Sequence, residues 1–206
     1  ATCRGGWPAS TKLKEKAALR VARNYVEEVI NYDVHRVDGV DKNTTRVRKL
    51  LESYARNIST MAANETIMAD VRATDQTISP NTFAIYLSAL RRIFIVDDVP
   101  AWSPALRSKT KIRTSPKRHF VDPSIAVALM GTNPQGLLKD FPTFGFLFED
   151  LCARDLRVYA QALDGEVYHY RDKNELECDL VVALRDGRWG AVEVKLGKNE
   201  EEDAAK

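Results

Sequence analysis

The run Leu176-Glu177-Cys178-Asp179-Leu180-Val181-Val182-Ala183-Leu184-Arg185-Asp186-Gly187-Arg188-Trp189-Gly190-Ala191-Val192-Glu193-Val194-Lys195-Leu196 decides how the C-terminal third of the chain folds. It contains two strand-like stretches, Leu176 to Leu184 and Trp189 to Leu196. Between them lies Arg185-Asp186-Gly187, a hairpin signal because Asp-Gly accepts the left-handed backbone of a tight turn. In the second stretch, period-two geometry puts Glu193 and Lys195 on one face and Val192 and Val194 on the other. Turn length then sets the register. A three-residue turn with Gly187 left-handed pairs Leu184 with Arg188, Asp179 with Glu193 and Glu177 with Lys195. A two-residue Asp186-Gly187 turn shifts the pairing by one and sends Asp179 and Glu193 to opposite faces unless a bulge intervenes. The three-residue turn is the expectation, because it gathers the two acids without a further irregularity.

Working upstream, Glu166 to Arg171 reads as another strand. Phe144, Leu147, Phe148 and Leu151 share one face of a helix from about Phe141 to Tyr159 that also carries Glu149 and Asp150. Asp179 stands among apolar neighbours, and a carboxylate there needs a partner because burying an unpaired charge is costly. A divalent ion shared with Glu193, with Glu149 adding a ligand from the helix, answers that need. The expected catalytic set is Glu149, Asp179, Glu193 and Lys195. The three acids hold Mg²⁺ or Mn²⁺, and Lys195 orients the attacking water and stabilises charge on a phosphoryl transition state. Glu-x-Lys alone fits a surface ladder of alternating charge equally well. The hairpin, Asp179 and the acidic helix together favour the metal site.

Further upstream, Gly131-Thr132-Asn133-Pro134-Gln135-Gly136 concentrates breakers and marks the clearest boundary. Before it, Leu13, Ala17, Val21, Tyr25 and Val29 trace a helix to about Val34. Val47, Leu50, Leu51, Tyr54, Ile58 and Met61 trace a second, and Ile67, Met68 and Val71 a short third. Ser79-Pro80 starts a helix to Arg92, with serine as cap and proline where no N–H is needed. Strands at Ile93 to Val99 and around His119-Phe120-Val121 flank a basic loop, and Pro123 opens a short helix to Met130. Helices followed by a two-stranded ribbon with a basic tip is the order of a winged helix. On that reading Asn81, Thr82 and Arg91 face DNA from the helix, and Lys109, Lys111, Arg113, Lys117 and Arg118 contact phosphates. A solvated loop and a protein-contact module are the alternatives.

The whole chain, 206 residues, carries 31 Lys and Arg against 29 Asp and Glu, so only the local basic run speaks for nucleic acid. Cys3, Cys152 and Cys178 form no Cys-x-x-Cys pair, which argues against a zinc site or disulfide framework and points to a cytoplasmic compartment. No apolar run is long enough to span a membrane. A Gly-x-x-x-x-Gly-Lys-Ser/Thr phosphate loop is absent, so no nucleotide site is expected in this chain.

Glu149, Asp179 and Glu193-Val194-Lys195 resemble the PD-(D/E)xK nuclease signature. More closely, Arg4-Gly5-Gly6-Trp7-Pro8, Gly145-Phe146-Leu147-Phe148-Glu149, Tyr170-Arg171 through Glu177-Cys178-Asp179, and Val192-Glu193-Val194-Lys195 resemble the C-terminal half of a group of prokaryotic AAA+-type ATPases. That half joins a winged-helix segment to a nuclease-like domain of unknown function of the DUF4143 type. The resemblance implies an α+β chain that either follows an ATPase core lying upstream or is a stand-alone remnant of such a protein. Residues 1–40 are then a linker and helix, 41–133 a winged-helix domain, 134–200 a restriction-endonuclease-like domain and 201–206 an acidic tail. Two functions follow: a DNA-binding module with a Mg²⁺-dependent nuclease, or a non-catalytic regulatory or protein-interaction module of the ATPase that retains the nuclease fold. Oligomer formation is compatible with either.

Overall fold

A computed structural model of the chain describes residues 1–105 and 114–197, and its architecture is α+β. Among these residues α1 (Glu15–Glu28) runs on through a π-helical stretch (Val29–Asp33) to Arg36. Then come α2 (Thr44–Arg56), α3 (Asn64–Arg72) and α4 (Pro80–Arg92). The side chain of Asn43 caps α2 by accepting the Arg46 N–H, and Ser79 caps α4 by accepting that of Thr82. The apolar stripes meet in one core: Val26, Val29, Leu50, Leu51, Tyr54, Ile67, Val71, Phe83, Leu87 and Leu90 are buried together. No helix among the described residues is long and apolar enough to cross a membrane.

The two segments expected to flank the basic loop pair as an antiparallel ribbon. Val96 stands opposite Phe120 and Val99 opposite Lys117, with Asp97 N–H donating to the His119 carbonyl at 2.9 Å. Then come α5 (Pro123–Leu129), α6 (Pro134–Leu137) and the long α7 (Phe141–Ala162), followed by a meander of β1 (Gly165–Arg171), β2 (Glu177–Leu184) and β3 (Trp189–Val192). Val167, Leu180 and Val182 pack with Ala153, Leu156 and Ala160 of α7 in a second core that also takes Val99 from the ribbon.

The expected division at Gly131–Gly136 is not a break in packing. Gly131 is left-handed (φ 65°) and turns the chain from α5 towards α6. The first core nevertheless extends across it to Leu137 and Leu147. The ribbon also joins β1 directly, with Trp102 N–H donating to the His169 carbonyl at 2.7 Å and His169 N–H to that of Pro100 at 3.0 Å. Within residues 1–40 the expected helix is present as α1, and the stretch before it docks on α5. Gly6 N–H and Trp7 Nε1 donate to Asp122 and Ser124 at the start of α5, and Trp7 packs on Tyr25 of α1. Gly5 is left-handed (φ 75°), and a Cβ there would run into Ser124 and Asp122, so the Gly-Gly-Trp-Pro stretch is shaped for this docking.

The β2–β3 turn has three residues. Leu184 N–H donates to the Arg188 carbonyl at 2.8 Å, Gly187 has φ 92°, and the pairs from Ala183–Trp189 to Leu180–Val192 follow the expected register. β3 ends earlier than the sequence pattern, at Val192. Beyond that point the Val194 N–H is taken by the Asp179 carboxylate at 3.0 Å, a side chain replacing the ladder carbonyl. Nothing lies within 4 Å of a Cβ built on Gly187, so Gly187→Ala tests the backbone alone. It is expected to lower stability by about 1–2 kcal/mol in urea denaturation with an unchanged m value.

Candidate functional site

The site is organised by the ribbon strand at 117–121. Successive side chains of a strand point to opposite faces, and here the two faces meet different halves of the molecule. Arg118 and Phe120 turn to the helices. The Arg118 guanidinium donates to the Ala62 carbonyl at 2.7 Å, to the Tyr54 hydroxyl and Asp98 at 3.1 Å, and to Asn64 at 3.0 Å, while Phe120 packs on the Tyr54 ring. Lys117 and His119 turn to α7, where Glu149 and Asp150 are consecutive. Lys117 Nζ donates to Glu149 Oε1 at 2.8 Å, and His119 Nδ1 lies 2.7 Å from Asp150 Oδ1.

Lys117 has a second partner, donating to Asp179 Oδ1 at 3.0 Å. A bulge brings Asp179 there. Tyr168 pairs with Val181 but Tyr170 with Cys178, so Asp179 and Leu180 together stand against His169. An extra residue of this kind re-aims a side chain, and here it turns Asp179 towards α7. The ammonium is therefore held between two carboxylates, and the Lys117 and Glu149 side chains are only 8% and 9% exposed. Burial works against the charge on Lys117, but Glu149 and Asp179 outweigh it and hold the amine above its ordinary range. Burial lifts the Glu149 carboxyl to about 7 against the pull of Lys117. Asp179, also opposed by burial, is held below the usual carboxylate range by Lys117 and the Val194 N–H.

Of the four expected site residues, Glu149 and Asp179 are brought together, but on Lys117. Glu193 sits beside Asp179 as the register requires, with Oε2 3.4 Å from the Asp179 backbone nitrogen, yet its Oε1 accepts from Lys195 at 2.8 Å. Among the described residues, no group of three His, Cys, Asp or Glu side chains is placed to hold a metal ion. In this arrangement the Lys117 ammonium lies between Glu149 and Asp179, two of the acids expected to hold Mg²⁺ or Mn²⁺. Two openings reach this centre. One, of about 530 Å³, is lined by Ser59, Thr60, Lys117, Glu149, Arg171 and Asp179. The other, of about 280 Å³, is lined by Phe146, Glu149, Asp179, Val194 and Lys195.

The expected DNA contacts divide. Lys117 and Arg118 are corrected: both are buried and spend their charge inside the protein. Arg91 is exposed but donates to Asp98 at 2.7 Å, and Thr82 is half-buried beside its cap Ser79. Asn81 is exposed on α4. Lys109, Lys111 and Arg113 lie outside the described residues, as does the acidic tail. The roles of Lys117, His119 and Asp150 at this centre were missed. A signal existed: Pro116 separates Lys117 from the basic loop, and Lys117 and His119 alternate with Arg118 and Phe120 as a strand with two buried faces.

Residues 1–136 match the family model described as Domain of unknown function (DUF8612), and residues 144–206 match Domain of unknown function (DUF4143). The chain thus belongs to the DUF8612 family, and its last part is similar to the DUF4143 domain. The two matches meet near the breaker-rich boundary, and Lys117 reaches from the first to Glu149 and Asp179 of the second. No curated protein and no solved structure matches the chain.

Protonation of Glu149 gives a test. Its folded value of about 7 lies above the ordinary 4.5, so between these values the folded chain keeps a proton that the unfolded chain has lost. The associated stability is complete below pH 4.5 and drains away as pH rises to 7. Unfolding free energies of wild type minus Glu149→Gln, measured by denaturant titration across this window, are expected to fall with rising pH. A flat or rising difference would contradict the assignment.

Proposed function

We propose that the chain is a non-catalytic regulatory module of a prokaryotic AAA+-type ATPase: a winged-helix unit joined to a restriction-endonuclease-like domain that keeps the nuclease arrangement without cleaving. The resemblance to that ATPase group and the DUF4143 match over residues 144–206 support the class. So does the order of α7, β1, β2 and β3, with an acid on the helix, an acid on the second strand and Glu193-Val194-Lys195 after the third. The observation that favours regulation over catalysis is the Lys117 ammonium between Glu149 and Asp179. Metal-assisted hydrolysis needs those carboxylates free to hold an ion that polarises phosphate and activates water. Here they are spent on an ion pair that ties two parts of one chain together.

The reading is tested by incubating the protein with Mg²⁺ or Mn²⁺ and single-stranded, duplex or branched DNA. Cleavage is expected to be no faster for wild type than for Asp179→Asn, and Lys195→Ala should change nothing. Metal-dependent cleavage lost in both variants would overturn it.

A further inference from the structure

We infer that Lys117 stands in the place of a divalent ion, and that its ammonium and such an ion are mutually exclusive occupants of the Glu149–Asp179 pair. The inference rests on the regulatory reading and deepens it, because it names what holds the centre shut.

Three features carry it. First, the ammonium occupies the gap between the two carboxylates, at 2.8 Å from one and 3.0 Å from the other, so an ion binding both must displace it. Second, Lys117 comes from outside the α7–β3 unit. It lies on the ribbon, where its own N–H and carbonyl bond to Val99, and the neighbouring Arg118 is anchored by four side-chain hydrogen bonds, to Tyr54 of α2, Asn64 of α3, the Ala62 carbonyl and Asp98. Lys117 therefore cannot swing away as a free surface side chain does. Its withdrawal requires either a new rotamer of a largely buried side chain or movement of the strand. Third, the acids reach solvent through the two openings described above, so a small hydrated cation has a route to them once the ammonium is gone. Glu193 is a further carboxylate beside Asp179, its Oε1 held by Lys195.

The probe is Mn²⁺ itself, titrated by electron paramagnetic resonance and by thermal unfolding. Lys117→Met keeps most of the length of the side chain and removes the charge. It is expected to take up Mn²⁺ at the Glu149–Asp179 pair where wild type takes up none, and to regain in Mn²⁺ much of the melting temperature lost by the substitution, as binding to the folded state alone requires. Adding Glu149→Gln to Lys117→Met should abolish the gain. A folded Lys117→Met protein that takes up Mn²⁺ no better than wild type would overturn the inference. A second arm needs no Lys117 variant: wild type should show no Mn²⁺ binding that Glu149→Gln or Asp179→Asn removes, and such binding would overturn the inference even if Lys117→Met failed to fold. Mn²⁺ binding by wild type without cleavage defeats this inference alone. DNA cleavage that depends on Asp179 defeats the regulatory reading.

Discussion

An ammonium withdrawn from water must be met by negative charge, and the way Lys117 meets that requirement arranges the rest of the molecule. Its partners come from a helix and from a bulged strand more than thirty and sixty residues further on. A buried pair of this kind adds little net stability compared with a well-packed apolar replacement. Losing one member, however, leaves an uncompensated charge at a cost of about 3–5 kcal/mol. The interaction therefore fixes how the ribbon, α7 and β2 sit together more than how tightly they hold.

The same strand carries further ties across this seam. His119 meets Asp150 with both side chains fully buried, and burial depresses the imidazole to about 3 while raising the carboxyl, so the pair is held in its neutral form. Arg157 reaches back from α7 to Asp97 and to the Asp98 carbonyl, Arg154 to Asp122, and Ser59 to the Phe146 carbonyl. Two regions matched by different family models are thus joined by a polar seam as well as by a shared core. A change in residues 144–197 therefore has a physical route to the helical part, and the reverse.

Much of this was legible in the sequence because it is set locally. The start of α4 at Ser79-Pro80 follows from capping chemistry, and the register of β2 and β3 follows from a turn whose third residue must be left-handed. What was not legible depends on contacts between distant segments. The Asp179 bulge is a mismatch between β1 and β2, and neither strand announces it alone. Lys117 and Arg118 end a run of basic residues, and that run assigned them to DNA phosphates. Only the apolar setting of His119-Phe120-Val121 and the alternation of the strand indicate two buried faces. Glu149 and Asp179 fall on the expected helix and strand, whereas Glu193 and Lys195 lie beyond the end of β3, and a pattern of acids does not say which cation they hold.

The central claim is that this cation belongs to the chain. A crystal structure of the wild-type protein grown in millimolar Mn²⁺, with anomalous data collected near the manganese edge, addresses it most directly. The account predicts no anomalous peak between Glu149 and Asp179, and Lys117 Nζ within hydrogen-bond distance of both. A manganese peak bridging the two carboxylates, with the Lys117 side chain turned elsewhere, would contradict it.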